Sequence, residues 1–155
     1  MKIKLLCSAL LCLMITACDL PTTPGDSPAT SSSASPDSGT TPADILPQLK
    51  EQMRFVQTMV ETYGVDWGGV YPANVAELYK EATGSDNPYF KEVVNPVSAA
   101  KWNTSNASGK GVVEDTPETC TAGMVFYTSN AKKDGYTIGG CDAGGKTISF
   151  ELSNS

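Results

Sequence analysis

The sequence predicts an α+β domain, an amphipathic helix packed on a roughly four-stranded antiparallel sheet. Three observations carry this. Leu49, Met53, Val56, Val60 and Tyr63 follow one another at steps of four, three, four and three, the spacing of one helix face. From Lys146 to Leu152, Thr147, Ser149 and Glu151 alternate with Ile148, Phe150 and Leu152, the period of two of a half-buried strand. All helical texture precedes all strand texture, so the sheet is expected as an antiparallel meander.

The elements follow in order. Asp44 is a suitable N-cap for the first helix, Pro47 is expected in its first turn, and Gly64 is expected as its stop. Lys50, Glu51, Arg54 and Glu61 form the side away from the stripe. A loop through Asp66-Trp67-Gly68-Gly69 leads to a shorter helix, capped by Asn74 with Glu77 as the capping-box partner. Val75, Leu78, Tyr79 and Ala82 are its apolar residues, and Gly84 ends it. Asn87-Pro88 opens at most one further turn with Phe90 and Val93 inward, closed by Asn95-Pro96. Four strands are expected after the polar loop Lys101–Lys110: Val112-Val113, Met124–Thr128, Gly135–Gly139 and Lys146–Leu152. Asn130–Gly135 and Asp142–Gly145 have the composition of turns.

Ahead of this domain, Lys2 and Lys4 precede an apolar run from Leu5 to Ala17. The run is too short for a retained bilayer span, which needs ~20 residues, and has the length of an export signal. It closes with Ile15-Thr16-Ala17-Cys18, which resembles the lipobox of bacterial lipoproteins. The resemblance implies cleavage before Cys18 and acylation of its thiol, so that the membrane is a partner through lipid on Cys18. Each buried CH₂ of such chains contributes roughly 0.8 kcal/mol. Under one bacterial sorting rule, Asp19 next to the lipidated cysteine retains the protein at the inner membrane, facing the periplasm. The expected organisation is a signal over 1–17, a lipidated cysteine and Pro/Ser/Thr-rich disordered tether over 18–43, and a globular domain over 44–155. The tether's root-mean-square reach is roughly 25–30 Å.

The signal carries two of the 11 basic residues and none of the 17 acidic ones, which leaves the mature chain 9 against 17, or −8. That charge argues against nucleic acid as a partner, because phosphate binding needs a basic face. The sequence has no histidine, which removes Ser-His-Asp catalysis, imidazole bases and histidine metal sites. No enzymatic activity, cofactor or metal is expected.

Of the five cysteines, Cys7 and Cys12 leave with the signal and Cys18 takes lipid, so Cys120 and Cys141 remain. An exported protein meets oxidising conditions, and a disulfide between them is expected. A hairpin centred near residues 131 and 132 would bring the two nearly opposite each other at its open end. Two thiolates alone do not complete a tetrahedral metal site.

The layout also resembles the periplasmic domain of type IV pilin-like proteins, in particular the major pseudopilin of type II secretion. The residues that carry the resemblance are Gly69-Val70-Tyr71-Pro72, Val75 to Leu78, Asn95-Pro96, and Gly135-Tyr136-Thr137-Ile138 followed by Gly144-Gly145-Lys146. The family's long apolar N-terminal helix, its polymerisation device, is missing here. The resemblance therefore implies a pilin-like head on a lipid tether, monomeric as a soluble domain, that binds another envelope protein of a secretion or pilus system. The alternative is a periplasmic or surface lipoprotein that binds an ion, a glycan or a peptide. Major pseudopilins bind calcium in a C-terminal loop. The nearest acids here are Asp134 and Asp142, with Glu114 and Asp115 further off, but acids in turns usually serve the turn, and no metal site is assigned to them.

The aromatic residues Trp67, Tyr71, Tyr89 and Trp102 are candidates for a glycan or peptide platform. The expectation is that Tyr71 and Tyr89 pack under the sheet while Trp67 and Trp102 stay partly exposed. Asp66, Glu77 and Glu81 are the carboxylates near enough in sequence to pair, with Glu77 and Glu81 expected on a solvated helix face. Asn103-Thr104-Ser105 and Asn106-Ala107-Ser108 match a glycosylation sequon but are expected as loop residues.

Overall fold

The computed structural model describes residues 42–116 and 118–154, with Pro42 and Ala43 as backbone only. The expected signal, Cys18, Asp19 and almost all of the expected tether lie outside the described residues. Among the described residues no helix is long and apolar enough to cross a membrane.

The fold is α+β. Helix α1 spans Pro42–Asp66 and α2 spans Val75–Gly84. The short strands β1 (Val93–Val94) and β2 (Lys101–Trp102) pair antiparallel as a two-stranded sheet. A second sheet has the order β3-β4-β5-β6, formed by Val113–Asp115, Val125–Ser129, Tyr136–Gly140 and Leu152–Asn154.

The stripe of α1 is buried as its spacing predicts. Leu49, Met53, Val56, Val60 and Tyr63 all lie in the core, joined by Ile45 and Met59. Each such side chain contributes about 1.5–3 kcal/mol of burial, which outweighs the weak intrinsic stability of the helix. The stripe packs against β5, β4 and α2. Gly140 of β5 admits Leu49, since a Cβ there would meet the leucine side chain at 3.0 Å.

The helix ends differ from the expectation. The helix starts at Pro42, so Asp44 sits in its first turn instead of capping it, and Pro47 falls in the second turn, where it omits one backbone hydrogen bond. Gly64 does not stop the helix. It makes room for Tyr71, whose Cε1 would lie 2.7 Å from an added Cβ. The stop comes at Gly68 and Gly69, with φ of 66° and 90°, where the Gly69 N–H reaches Gly64 O at 2.7 Å. By contrast, α2 begins as predicted: the Glu77 N–H donates to Asn74 Oδ1 at 2.8 Å. The Glu77 carboxylate returns a bond to the Ala73 N–H, one residue before the cap, at 2.7 Å.

The sheet is mixed, not a four-stranded antiparallel meander. β3 runs parallel to β4, with Val113 opposite Val125, because the chain between them loops back before β4 starts. β4 and β5 form the predicted hairpin, with Ser129 opposite Tyr136, which centres it between residues 132 and 133. The predicted strand Lys146–Leu152 is broken. Thr147 bridges Cys141, but regular pairing resumes only at Leu152 opposite Ile138, so the four residues between on one side are matched by two on the other. Ile148, Phe150 and Leu152 still pack on the core, so the alternation was kept where the ladder was lost.

No further helical turn forms after Asn87-Pro88. Tyr89 and Phe90 are held by their N–H groups on Ala82 O, and Val93-Val94 is a strand. Asn95 is buried and satisfied on all sides. Its Nδ2 donates to Gly111 O at 2.8 Å and Ala122 O at 2.9 Å, and its Oδ1 accepts from the N–H groups of Val97 and Ser98. One side chain thus joins three chain segments.

Candidate functional site

The polar residues of the domain divide into those that build the fold and those left at its surface. Asn103 Oδ1 accepts from the Ser105 N–H, and Asn106 Nδ2 donates to Lys101 O and Lys110 O, so both sequon asparagines are loop formers. Asp142 Oδ1 accepts from the N–H groups of Gly144 and Lys146 at 2.8 Å, which closes its turn. Asp134 Oδ1 accepts from Asn130 Nδ2 in the other turn. Glu114 accepts from the Gly111 N–H, and Asp115 from the Val75 N–H at the start of α2. Among the described residues no three such side chains come together to hold a metal ion.

Cys120 and Cys141 are paired, with Cα atoms 5.7 Å apart. The route differs from the hairpin reasoning. Cys141 faces Met124 in the ladder, its N–H donating to Met124 O, while Cys120 lies in a loop that turns back at Gly123. A bridge closing 21 residues contributes about 3 kcal/mol on the entropic account.

A shallow groove of roughly 670 Å³ lies between the start of α1 and the C-terminal segment, lined by Leu46, Lys50, Asp142, Ile148 and Phe150. Lys50 Nζ sits 4.7 Å over the Phe150 ring and closes part of the apolar lining.

A tyrosine–carboxylate network joins α1 to the loop after it and to β5 and β6. Glu61 accepts from the hydroxyls of Tyr71 and Tyr136, Gln57 Nε2 donates to the Tyr136 hydroxyl, and Asn154 donates to Tyr71. Burial, reinforced by Glu61, pushes the Tyr136 phenol well above its ordinary value. These bonds pin the C-terminal strand to the helix.

The aromatic candidates sort differently from the expectation. Tyr71 is buried and Trp67 is 52% exposed, as predicted. Trp102, however, is fully buried. It packs edge-on against Phe90 at 5.2 Å and tilted against Tyr79 at 5.7 Å, and its Nε1 donates to Ala107 O. Sequence reasoning placed it in a polar loop and missed that β2 turns it inward.

The exposed indole of Trp67 is backed by Tyr63, with ring centroids 5.6 Å apart and planes 17° from parallel. Tyr63 donates its hydroxyl to Glu77 Oε1 at 2.8 Å. Burial first, then this carboxylate, pushes the Tyr63 phenol above its ordinary value. The Ala73 N–H, ahead of Tyr63, holds the Glu77 carboxyl below the usual range. Glu81 and Asp66 both act on Tyr89, whose phenol is pushed up to about 12 chiefly by burial.

No family model, curated protein or solved structure matches the chain. The arrangement must be read from its own chemistry. Of the predicted carboxylates, Glu77 is a structural acceptor, whereas Asp66 and Glu81 have no ion-pair partner among the described residues. The end of α1 thus presents an aromatic ring that is backed by Tyr63 and half open to solvent.

Proposed function

We propose that this chain is a lipid-anchored protein of the bacterial envelope whose folded domain is a non-enzymatic, pilin-like interaction module. The observation that carries the reading is Ile15-Thr16-Ala17-Cys18 at the end of a short apolar run, separated from the domain by a Pro/Ser/Thr-rich stretch. The absence of histidine from the sequence supports a binding role over hydrolytic chemistry. A helix whose stripe is fully used on its own sheet supports a head that stays monomeric. Polymerising through that stripe would expose side chains worth about 1.5–3 kcal/mol each. The module engages another envelope protein, in a secretion or pilus system, and Asp19 favours the inner membrane over other envelope sites.

Replacing Cys18 tests the anchor. Cys18→Ser is expected to abolish metabolic acyl labelling and to leave uncleaved precursor or a protein released from the membrane fraction. Normal processing with unchanged membrane retention would overturn the reading.

A further inference from the structure

Resting on the reading of the domain as an interaction module, we propose that residues 149–151 and the groove beside them take an extended segment of a partner protein, one that carries apolar side chains and a single carboxylate. The break in the last strand is the first observation. The Ile148 N–H reaches Gly140 O, and Leu152 pairs with Ile138. Between them the N–H groups of Ser149, Phe150 and Glu151 have no backbone hydrogen bond among the described residues. β6 is also the end strand of its sheet, so the open edge continues past the break. Ser149, Glu151 and Ser153 are exposed, which leaves this edge within reach of another chain. Unpaired main-chain groups on an exposed edge are a template for an added strand.

The groove supplies the side-chain contacts. Leu46, Ile148 and Phe150 line it together with Ser149, so apolar surface and open main chain lie in one place. Lys50 is the one base in the lining, and it has no carboxylate partner among the described residues. Its Nζ lies 4.7 Å over the Phe150 ring, which holds the ammonium at the groove. Asp142, the one acid in the lining, is committed to its own turn through the N–H groups of Gly144 and Lys146. A carboxylate on an incoming apolar strand therefore finds an ammonium already in position. The chain's net charge of −6 repels a strongly acidic segment, so a single acid is selected. A free acyl chain is the poorer occupant. It cannot use the open N–H groups, and a shallow groove leaves much of its surface in water.

The test uses the full chain in lipid nanodiscs, because detergent would compete for an apolar groove. The probe is the fluorescently labelled peptide Thr-Ile-Thr-Phe-Thr-Asp-Thr, followed by anisotropy, with amide NMR to locate it. Binding is expected, with shifts centred on Ser149, Phe150 and Glu151. Two further peptides are methylated on alternate backbone nitrogens, one on each edge of the strand. One of them should bind at least about fivefold more weakly than the other, because only one edge pairs. Lys50→Glu should weaken the aspartate peptide about threefold, and a peptide with lysine in that place should recover the loss. Leu46→Ser, at a position 41% exposed, should also weaken binding while circular dichroism shows the fold intact. No binding by the wild-type chain would overturn the proposal, as would equal binding of the two methylated peptides. So would a dimer in light scattering that Leu46→Ser disperses, because a second copy would then be the occupant. Acyl labelling of Cys18 is measured on the same sample, so a chain that is acylated but binds no peptide loses this surface and keeps its anchor.

Discussion

Two regions of the domain reach order by different routes. In the first, α1 with the β4–β5 hairpin, many similar apolar side chains share the burial and a regular ladder satisfies the backbone. In the second, residues 87–123, the strands are two or three residues long and the chain is held by a few polar groups with several partners each. Asn95 serves three segments, and Asn106 ties two backbone carbonyls. Stability in the first region is spread over many residues, and in the second it is concentrated in a few. The contrast follows from loop geometry: without a repeating ladder, each buried backbone group needs a partner of its own.

Trp102 offers the largest break. Trp102→Ala empties the centre of the Tyr79–Phe90 cluster and orphans Ala107 O, so a loss of about 4 kcal/mol is expected in urea unfolding. A loss below about 2 kcal/mol would mean that the second region collapses around gaps as easily as a regular core does.

Asn95→Ala is the next test. It leaves Gly111 O, Ala122 O and the Val97 and Ser98 N–H groups without their partner, at a cost of about 3 kcal/mol. Hydrogen exchange should show the loss of protection confined to residues 87–123 before global unfolding. Uniform loss across α1 as well would erase the distinction between the two regions.

The smallest effect at neutral pH, and a test of the first region alone, is alkaline unfolding. Burial is the leading cause that pushes the phenols of Tyr63, Tyr71, Tyr127 and Tyr136 above their ordinary value of 10.0. The folded state therefore holds these protons more tightly than the unfolded chain. Its advantage is complete below pH about 10 and is lost as pH rises above that. Helix loss by circular dichroism should coincide with tyrosinate absorbance. Ionisation near pH 10 with the helix intact would show these hydroxyls to be freer than their burial implies.

The legible parts of the molecule were those in which one period or one cap carries the information. The stripe from Leu49 to Tyr63, the Asn74 cap and the β4–β5 hairpin are local patterns with a local physical cause. Gly64 misled because a glycine near a helix end has two uses. Whether it stops the helix or admits a neighbour depends on Tyr71, which is seven residues away and arrives only after the chain has turned. The break after Thr147 was invisible for a related reason: alternation records which side chains face inward and not whether the backbone stays in register. The exposure of Trp67 was readable, but the Tyr63 ring stacked behind it was not.

The sequence by itself determined the α+β class, the buried face of α1, the capping of α2 and the charge and histidine content that limit the chemistry, because each depends on residue type and short-range spacing alone. Only the tertiary structure decided that β3 joins the sheet parallel to β4, that Cys120 reaches Cys141 from a loop, and that Trp102 is buried while Trp67 is not. Those outcomes rest on contacts between segments far apart in the chain. Their free energy depends on which groups meet after folding, and no local pattern encodes that meeting.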